Sequence, residues 1–385
     1  MTILSSSNSI PGIKVQASTV YAVEDIESDW KSLQERSDCS FFQSWCWIGT
    51  WLGQIALPHK PIVIRVWSDA ILVGMGLFVE RDIQRRLVVR LRAMFLNEYP
   101  FDGKNMVIEY NGILADVNFR RKVLVETARH LVDTQKHCDE FYFNAITDPG
   151  NLDELSQSLG KSVSVELEQS HPTWVVSLHR AEGGMDAFLS TLSKNKRWQV
   201  RRAFRLYEEQ SPLKLEMASS VEDALDYFDA MGILHTQRWN ASGLPGSFSN
   251  KTWKEYHRAL ITKNYQQGVI QLLRISNAEG VLGYLYNFVW RKRVYSLQSG
   301  FILPDDNRLM PGYVTHALAI VFNQSEGMQE YDFMYGESRY KSSFSDKQNK
   351  LVWVLIKRRS FILLLEKIAL NILRPLKNYL FRRGQ

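Results

Sequence analysis

Residues able to move protons cluster near the end of the chain. Tyr331-Asp332-Phe333-Met334 reads as a short strand, Gly336 permits a sharp exit, and Glu337, Tyr340 and Lys341 then fall within one helical turn. A carboxylate such as Glu337 can take a proton from an attacking amine or hydroxyl. A phenol or an ammonium, here Tyr340 or Lys341, can protonate a leaving thiolate. Lys341 could also stabilise a developing oxyanion. The spacing fits a surface salt-bridge cluster as well.

Upstream, the loop Phe301–Gly312 joins a strand to a helix that opens at Pro311-Gly312-Tyr313. The first turn of a helix has unpaired amide hydrogens and positive dipole density, which suit a pyrophosphate. Proline there is pre-organised for the helix, and glycine lets a ligand approach the backbone. Arg308 and Tyr313 flank the opening. An ordinary strand-to-helix loop would use the same residues.

A third feature is basic. At about 100° per residue, Lys194, Arg197, Arg201 and Arg205 fall within an arc of roughly 80° on one helix. Val200, Ala203, Phe204 and Tyr207 take the other side, and Trp198 lies where it could stack on a base or sugar. The cationic face suits phosphates or plain solvent. On the next helix, His235, Arg238 and Trp239 come near one face at the helix end, before the flexible Ser242-Gly243-Leu244-Pro245-Gly246. They could wall a pocket, although a lone histidine is more often structural.

Two similar series of elements must position these groups. In the first half, Lys14–Val23, Ile62–Trp67, Ile71–Glu80 and Val88–Leu96 read as strands. Asp29–Arg36, Trp45–Leu52 (with Ser44 as N-cap) and Phe119–Gln135 read as helices, followed by a strand at Glu140–Ala145 and a helix at Asn151–Leu159. In the second half, Trp174–Leu178 is a strand. Helical structure begins at Met185–Leu192 and resumes through Trp198–Gln210, and Leu213–Ala218 is a strand. Ser219 with Glu222 signals a capping box for the helix Val221–Trp239. Then come a helix at Lys251–Lys263, strands at Val269–Ile275, Val281–Trp290 and Val294–Gly300, and a helix at Tyr313–Phe322. Tyr331–Met334 and Leu351–Ile356 close the second sheet. The order implies an α/β (mixed α+β) structural duplication.

At 385 residues, two domains are expected. The net charge of +6 is modest, and its clustering at Arg81–Arg92, Lys194–Arg205 and Lys357-Arg358-Arg359 says more: an anionic partner such as a nucleotide, tRNA or a membrane surface fits. Three cysteines, Cys39, Cys46 and Cys138, form no CxxC pair, which argues against a disulfide scaffold or zinc site and suits a reducing compartment. No metal is implied. Neither a signal peptide nor an apolar run of about 18 residues is present, so a cytoplasmic location is expected. No GxGxxG after a strand, GxxxxGK[ST], HExxH or GxSxG occurs, so dehydrogenase, P-loop kinase, zinc protease and serine hydrolase readings lose support.

The order of these pieces resembles the acyltransferase family named after the cellulose-biosynthesis protein CelD, a branch of the GNAT superfamily related to FemAB peptidyltransferases. The matching residues are Phe41-Phe42-Gln43-Ser44 with Trp47, Leu192-Ser193-Lys194 with Arg201-Arg202, and Leu234-His235 with Arg238-Trp239. Pro311-Gly312 and Asp332-Phe333 with Gly336-Glu337 and Tyr340-Lys341 complete them. The resemblance implies two tandem GNAT-like folds: a supporting one over 1–170 and an active one over 171–358. It implies acetyl-CoA or another acyl-CoA as donor and an amine or hydroxyl acceptor, often in exopolysaccharide or envelope assembly. Carried over by position, Pro311 and Gly312 begin the pyrophosphate-binding helix, with Arg308, Tyr313, Lys194 and Arg201 nearby. Glu337, Tyr340 and Lys341 line the reaction site, and His235, Arg238 and Trp239 meet the acceptor. The usual phosphate loop [QR]-x-x-G-x-[GA] reads Arg308-Leu309-Met310-Pro311-Gly312-Tyr313 here, with proline and tyrosine where small residues belong.

Two rival readings remain. A FemAB-like transferase would draw an aminoacyl group from charged tRNA, with the basic helix on RNA phosphates. No pair of long heptad-patterned helices resembles that group's helical arm. A non-catalytic assembly factor at the membrane face is the other, supported by the apolar and basic tail over 359–385, which suits an anionic bilayer or packing on the domain. Full-length protein is expected to co-sediment with anionic liposomes more than a chain ending at Ser360. Equal sedimentation of the two would remove the membrane contact.

Overall fold

A computed structural model describes residues 12–84, 90–98, 100–101, 104–105, 108–147, 150–209, 211–336 and 339–359. The chain begins with β1 (Ile13–Thr19), α1 (Glu24–Glu35), α2 (Trp45–Trp51), β2 (Ile62–Ser68), β3 (Ile71–Gln84) and β4 (Arg90–Leu96). The short strands β5 (Pro100–Phe101), β6 (Lys104–Asn105) and β7 (Leu114–Ala115) precede α3 (Arg120–Thr134), β8 (Glu140–Ile146), α4 (Leu152–Leu159) and β9 (Val163–Ser177). Next come α5 (Met185–Ser190), α6 (Lys194–Glu208), β10 (Lys214–Met217), α7 (Val221–Ala241) and α8 (Lys251–Asn264). The series ends with β11 (Ile270–Asn277), β12 (Gly280–Trp290), β13 (Arg293–Phe301), α9 (Pro311–Ser325), β14 (Glu330–Tyr335), α10 (Arg339–Phe344) and β15 (Lys347–Arg358).

The described residues divide into two units, one built from 12–45, 55–170 and 352–359, the other from 46–54 and 171–351. In the first, the strands run β1-β2-β3-β4-β8-β15. Every neighbouring pair is antiparallel except β4 and β8. Parallel neighbours need a crossover, and α3 supplies it. Its apolar face, Val123, Ala128, Leu131 and Val132, enters a core with Ile64, Val66, Val73 and Met94. The approach is close: a Cβ on Gly74 would sit 2.4 Å from Val123 Cγ1, so β3 carries glycine there.

The second unit repeats the plan. Its strands run β9-β14-β13-β12-β11-β10, with β13 and β14 the parallel pair and α9 the crossover. Both late strands shift register near their ends, where Ala145 and Met334 adopt left-handed φ of 52° and 61°. The mixed α/β architecture and the duplication expected from the sequence are thus present.

The units exchange pieces of chain. Trp47 of α2 belongs to the second unit, where its ring packs on Tyr256, His257 and Phe288. Val352–Lys357 of β15 pairs with β8 in the first unit. The sequence reading assigned Leu351–Ile356 to the second sheet. Apolar alternation identifies a strand but not the sheet edge it joins. The cap of α7 is also displaced by one residue: Ser220 Oγ accepts from the Asp223 amide, and Asp223 bonds back to Ser219. Asp223 takes the Ser219 amide, one residue outside the cap, so Ser220 is a simple N-cap and the reciprocal bond of a capping box is not made. Ser44 gives its hydroxyl to Phe41 O instead of capping α2.

One buried acid stands out in the first unit. Glu98 follows β4, is 3% exposed and accepts a 2.8 Å bond from Asn144 Nδ2. Burial pushes its carboxyl up to about 7, against the pull of Asn144 and the Ile108 amide. Unfolded, the same group loses its proton near 4.5. Between these values the folded chain holds the extra proton, so this group lowers stability as pH rises from 4.5 to 7, and the loss is constant above that. Glu98→Gln should therefore be more stable than the parent at pH ~8, by on the order of 1–3 kcal/mol, with the advantage gone near pH ~4. Equal urea midpoints at both pH values would contradict this.

Candidate active site

The helix α9 begins under constraint. Met310, its N-cap, has a left-handed backbone (φ 43°, ψ 54°), and Pro311 follows at the first position. The Tyr313 and Val314 amides turn back to Met310 O at 3.0 and 3.2 Å. The Val314 bond is the first of the helix, whereas the Tyr313 amide is one of those expected to be open and is used within the turn. Gly312 N–H is left without a partner among the described residues. Gly312 sits on an aromatic ring: a Cβ would lie 3.2 Å from Phe301 Cε2. Met310, Pro311, Gly312 and Tyr313 are all half-buried, so the opening is neither sealed nor fully solvated.

Three elements meet this opening. From α6, Lys196 Nζ donates to Tyr313 Oη at 2.9 Å and lies 4.2 Å from the centre of its ring. From α10, Tyr340 meets the Tyr313 ring edge-on at 6.2 Å, and Phe344 does so at 5.3 Å. From α7, the Arg238 guanidinium lies 6.0 Å from the Phe301 ring. Inside the first turns of α9, His316 stacks on Tyr340 at 5.0 Å with rings 14° apart and bonds through Nδ1 to Tyr331 Oη at 3.1 Å. Burial, then Lys341 and Arg238, lowers the His316 pKa to about 3. The imidazole is neutral at physiological pH, with burial the main cause and the two cations adding to it.

The sequence-derived residues divide accordingly. Pro311, Gly312, Tyr313, Tyr340 and Arg238 gather around the α9 opening. Lys341 joins through its field and through Nζ, which donates to Tyr335 O at 2.6 Å, beside Gly336 with its φ of 109°. Glu337 lies outside the described residues. Arg308 is exposed and folded on its neighbour, with Nη2 and Nε on the Asp306 carboxylate at 2.7 and 2.9 Å. That contact, with a smaller pull from Arg202, holds the Asp306 carboxyl down at about 2. Lys194 is exposed on α6, and Arg201 pairs with Asp186 at 2.9 Å. His235 turns inward among Trp239 and Phe248, its pKa lowered to about 4 by burial and then by Arg238. Trp239 is partly exposed, and Gly246 fits tightly against both rings.

Lys196, His316 and Tyr331 were given no role from the sequence, and Arg202 was named only with Arg201 as part of the resemblance. Lys196 lies one turn before Val200, on the apolar side that turns toward α9. Arg202 stacks over the exposed Trp198 ring at 4.6 Å. His316 had a signal as well: with Asn323, seven residues on, it interrupts the apolar face of α9 at two-turn spacing.

The corresponding opening in the first unit is built differently. There α3 starts with Phe119, Arg120 and Arg121. Arg120 pairs with Asp38 at 3.0 Å and Arg121 with Glu154, beside a cavity of about 280 Å³. Elsewhere in that unit, Glu80, His137 and Cys138 place three possible ligand atoms within 4.8 Å of one another. Arg92 already bonds Glu80 at 2.8 Å, and burial, with Glu80 adding to it, pushes the Cys138 thiol up to about 12, so that thiol stays protonated. No helix among the described residues is long and apolar enough to cross a membrane.

Comparison with known proteins finds similarity over part of the chain and in the fold. Residues 194–342 match the family model described as an acetyltransferase (GNAT) domain, from the first residue of α6 into α10. No curated protein sequence matches the chain. The fold is similar to that in the crystal structure of FemX, with a TM-score of 0.57 at 10% identity over 86% of this chain and 96% of that one. It is also similar to the structure of L-PGS from Bacillus licheniformis, with a TM-score of 0.51 at 10% identity over 89% and 95% of the two chains. Residues 194–342 thus resemble a GNAT acetyltransferase domain, within a fold similar to that of those two structures.

Proposed function

We propose that the second unit transfers an acyl group from an acyl-CoA, acetyl-CoA first among donors, to an amine or hydroxyl of a sugar, polysaccharide or envelope precursor. The observation that carries this reading is the half-buried α9 opening, seated on Phe301 and bordered by Lys196, inside the stretch that matches an acetyltransferase domain. A pyrophosphate there would meet the Gly312 amide and the positive end of α9, with Lys196 as counter-charge. The exposed cations Lys194 and Arg201 would add long-range attraction for an anionic donor.

The reaction would be direct transfer without an acyl-enzyme. The acceptor nitrogen or oxygen forms a bond to the thioester carbonyl carbon, and its proton passes to Glu337 or to a water that Glu337 orients. Lys341 or Tyr340 stabilises the oxyanion; as the C–S bond breaks, one of them protonates the thiolate. His235 and Trp239, at the end of α7, would shape the acceptor side together with Arg238. The paired arginines at the α3 opening favour a supporting part for the first unit.

Acetyl-CoA at about a hundred times its Kd is expected to raise the unfolding temperature by roughly 5 °C, and Gly312→Trp to abolish the rise. Absence of any shift, together with binding of charged tRNA that weakens steeply with salt, would replace this reading with aminoacyl transfer.

A further inference from the structure

Beneath α9, the core of the second unit is crossed by a file of polar side chains. Gln271 on β11, Asn287 on β12, Ser296 on β13 and Tyr331 on β14 lie under His316 and Asn323 of α9, and each is more than nine-tenths buried. The ladder sets them side by side, with Gln271 opposite Asn287 and Asn287 opposite Ser296. Apolar residues could fill this space, and every buried polar group must recover its desolvation cost through hydrogen bonds.

The file has a direction. Its fixed end is a backbone carbonyl, which can only accept: Asn323 Nδ2 donates to Ala319 O at 2.8 Å and to Gln271 Oε1 at 3.2 Å. Asn323 Oδ1 then receives Gln271 Nε2 at 2.9 Å, and Gln271 Oε1 also receives Asn287 Nδ2 at 2.9 Å. The amide of Asn287 further supports the Tyr331 phenol, whose pKa burial nonetheless drives upward, while Asn287 Oδ1 has no partner among the described residues. Tyr331 has one hydroxyl proton and gives it to Ser296 Oγ at 3.1 Å. At 3.1 Å from His316 Nδ1, the same oxygen can then only accept. Nδ1 carries the proton, and the bare lone pair of the neutral ring is at Nε2. That nitrogen is buried and has no hydrogen-bond partner among the described residues.

The geometry points to His316 Nε2 as the acceptor that holds one N–H of the amine on the acyl-accepting substrate, an assignment that rests on the acyl-transfer reading above. The ring is roofed by Tyr340 and flanked edge-on by Phe301 and Phe333, and Phe301 is also the ring against which Gly312 rests. A ring with a pKa of about 3 does not retain a proton at neutral pH, so its part is orientation. By engaging one hydrogen of the nucleophile, it turns the nucleophile's lone pair toward the carbonyl. The amine's other hydrogen is the one lost, by the route given above. A lone pair at this place also discriminates: an amino group has one hydrogen to give it and another to lose, a hydroxyl has only one for both, and a carboxylate or phosphate has none. Tyr331, Asn287, Gln271 and Asn323 are positioning residues that act through the tautomer.

Nitrogen-15 NMR of the full chain labelled at histidine reads that tautomer without any need for turnover. His316 is expected to show a protonated Nδ1 and a bare Nε2, with the Nε2 signal moving toward a hydrogen-bonded acceptor when glucosamine is added with acetyl-CoA. Tyr331→Phe should mix the tautomers and reduce turnover about ten- to a hundredfold. His316→Gln, which can place a carbonyl oxygen where Nε2 stood, should retain more turnover than His316→Asn, which keeps the bond to Tyr331 and leaves that place empty. Thermal melts establish that each variant folds. A proton on Nε2 in the free protein, or an Nε2 signal that glucosamine with acetyl-CoA leaves unmoved, overturns the assignment. Failure of acetyl-CoA to bind, with the Nε2 signal still moved by glucosamine alone, would instead sink the donor reading and leave His316 in place.

Discussion

Two parallel strands cannot be joined by a tight turn, and the organisation of the second unit follows from that constraint. The chain leaving β13 at Phe301 must cross over the sheet before β14 can lie beside it, and α9 is that crossing. The start of the helix and the end of β14 are thereby delivered to the same edge of the sheet. The phosphate-friendly opening at Gly312 and the proton-bearing side chains after Gly336 are neighbours by topology, before any side chain makes a contact. Phe301 then fixes the distance, because it is both the last residue of β13 and the surface against which Gly312 rests.

The core under that crossing is built from two kinds of material. Val314, Ala317 and Ile320 join Leu273, Leu285 and Val294 in an ordinary apolar cluster, which supplies cohesion without direction. The file from Asn323 to His316 supplies direction without much cohesion, since hydrogen bonds made inside a protein largely replace bonds that water would have made. A core made only of the first material would hold α9 just as firmly. It would not specify which nitrogen of an imidazole carries a proton.

Local signals were legible in the sequence, and pairing was not. Pro311-Gly312 announced the start of α9 because proline and glycine act on the backbone where they stand, and strand-helix alternation gave the mixed α/β duplication for the same reason. Ser220 was missed in favour of Ser219 because adjacent serines offer the same hydroxyl, and only backbone geometry selects one of them. Lys196 was overlooked because attention went to the cationic arc of Lys194, Arg197, Arg201 and Arg205, and Lys196 falls on the opposite, apolar side of the same helix. His316 was invisible as a chemical group since its partners, Tyr331 and Ser296, arrive from strands distant in sequence. The destination of β15 was hidden for the same kind of reason: an apolar strand is complementary to any open edge.

The placement of β15 bears on how the protein is made. The first unit is complete only when residues from 352 onward reach β8, yet nearly all of its other strands are synthesised before the second unit begins. During translation β8 emerges with a bare rim of amide and carbonyl groups, which attracts any extended segment nearby. A ribosome must therefore traverse the entire second unit before that rim is closed, and the amino-terminal half, released alone, would lack the strand that keeps it from pairing with its own copies.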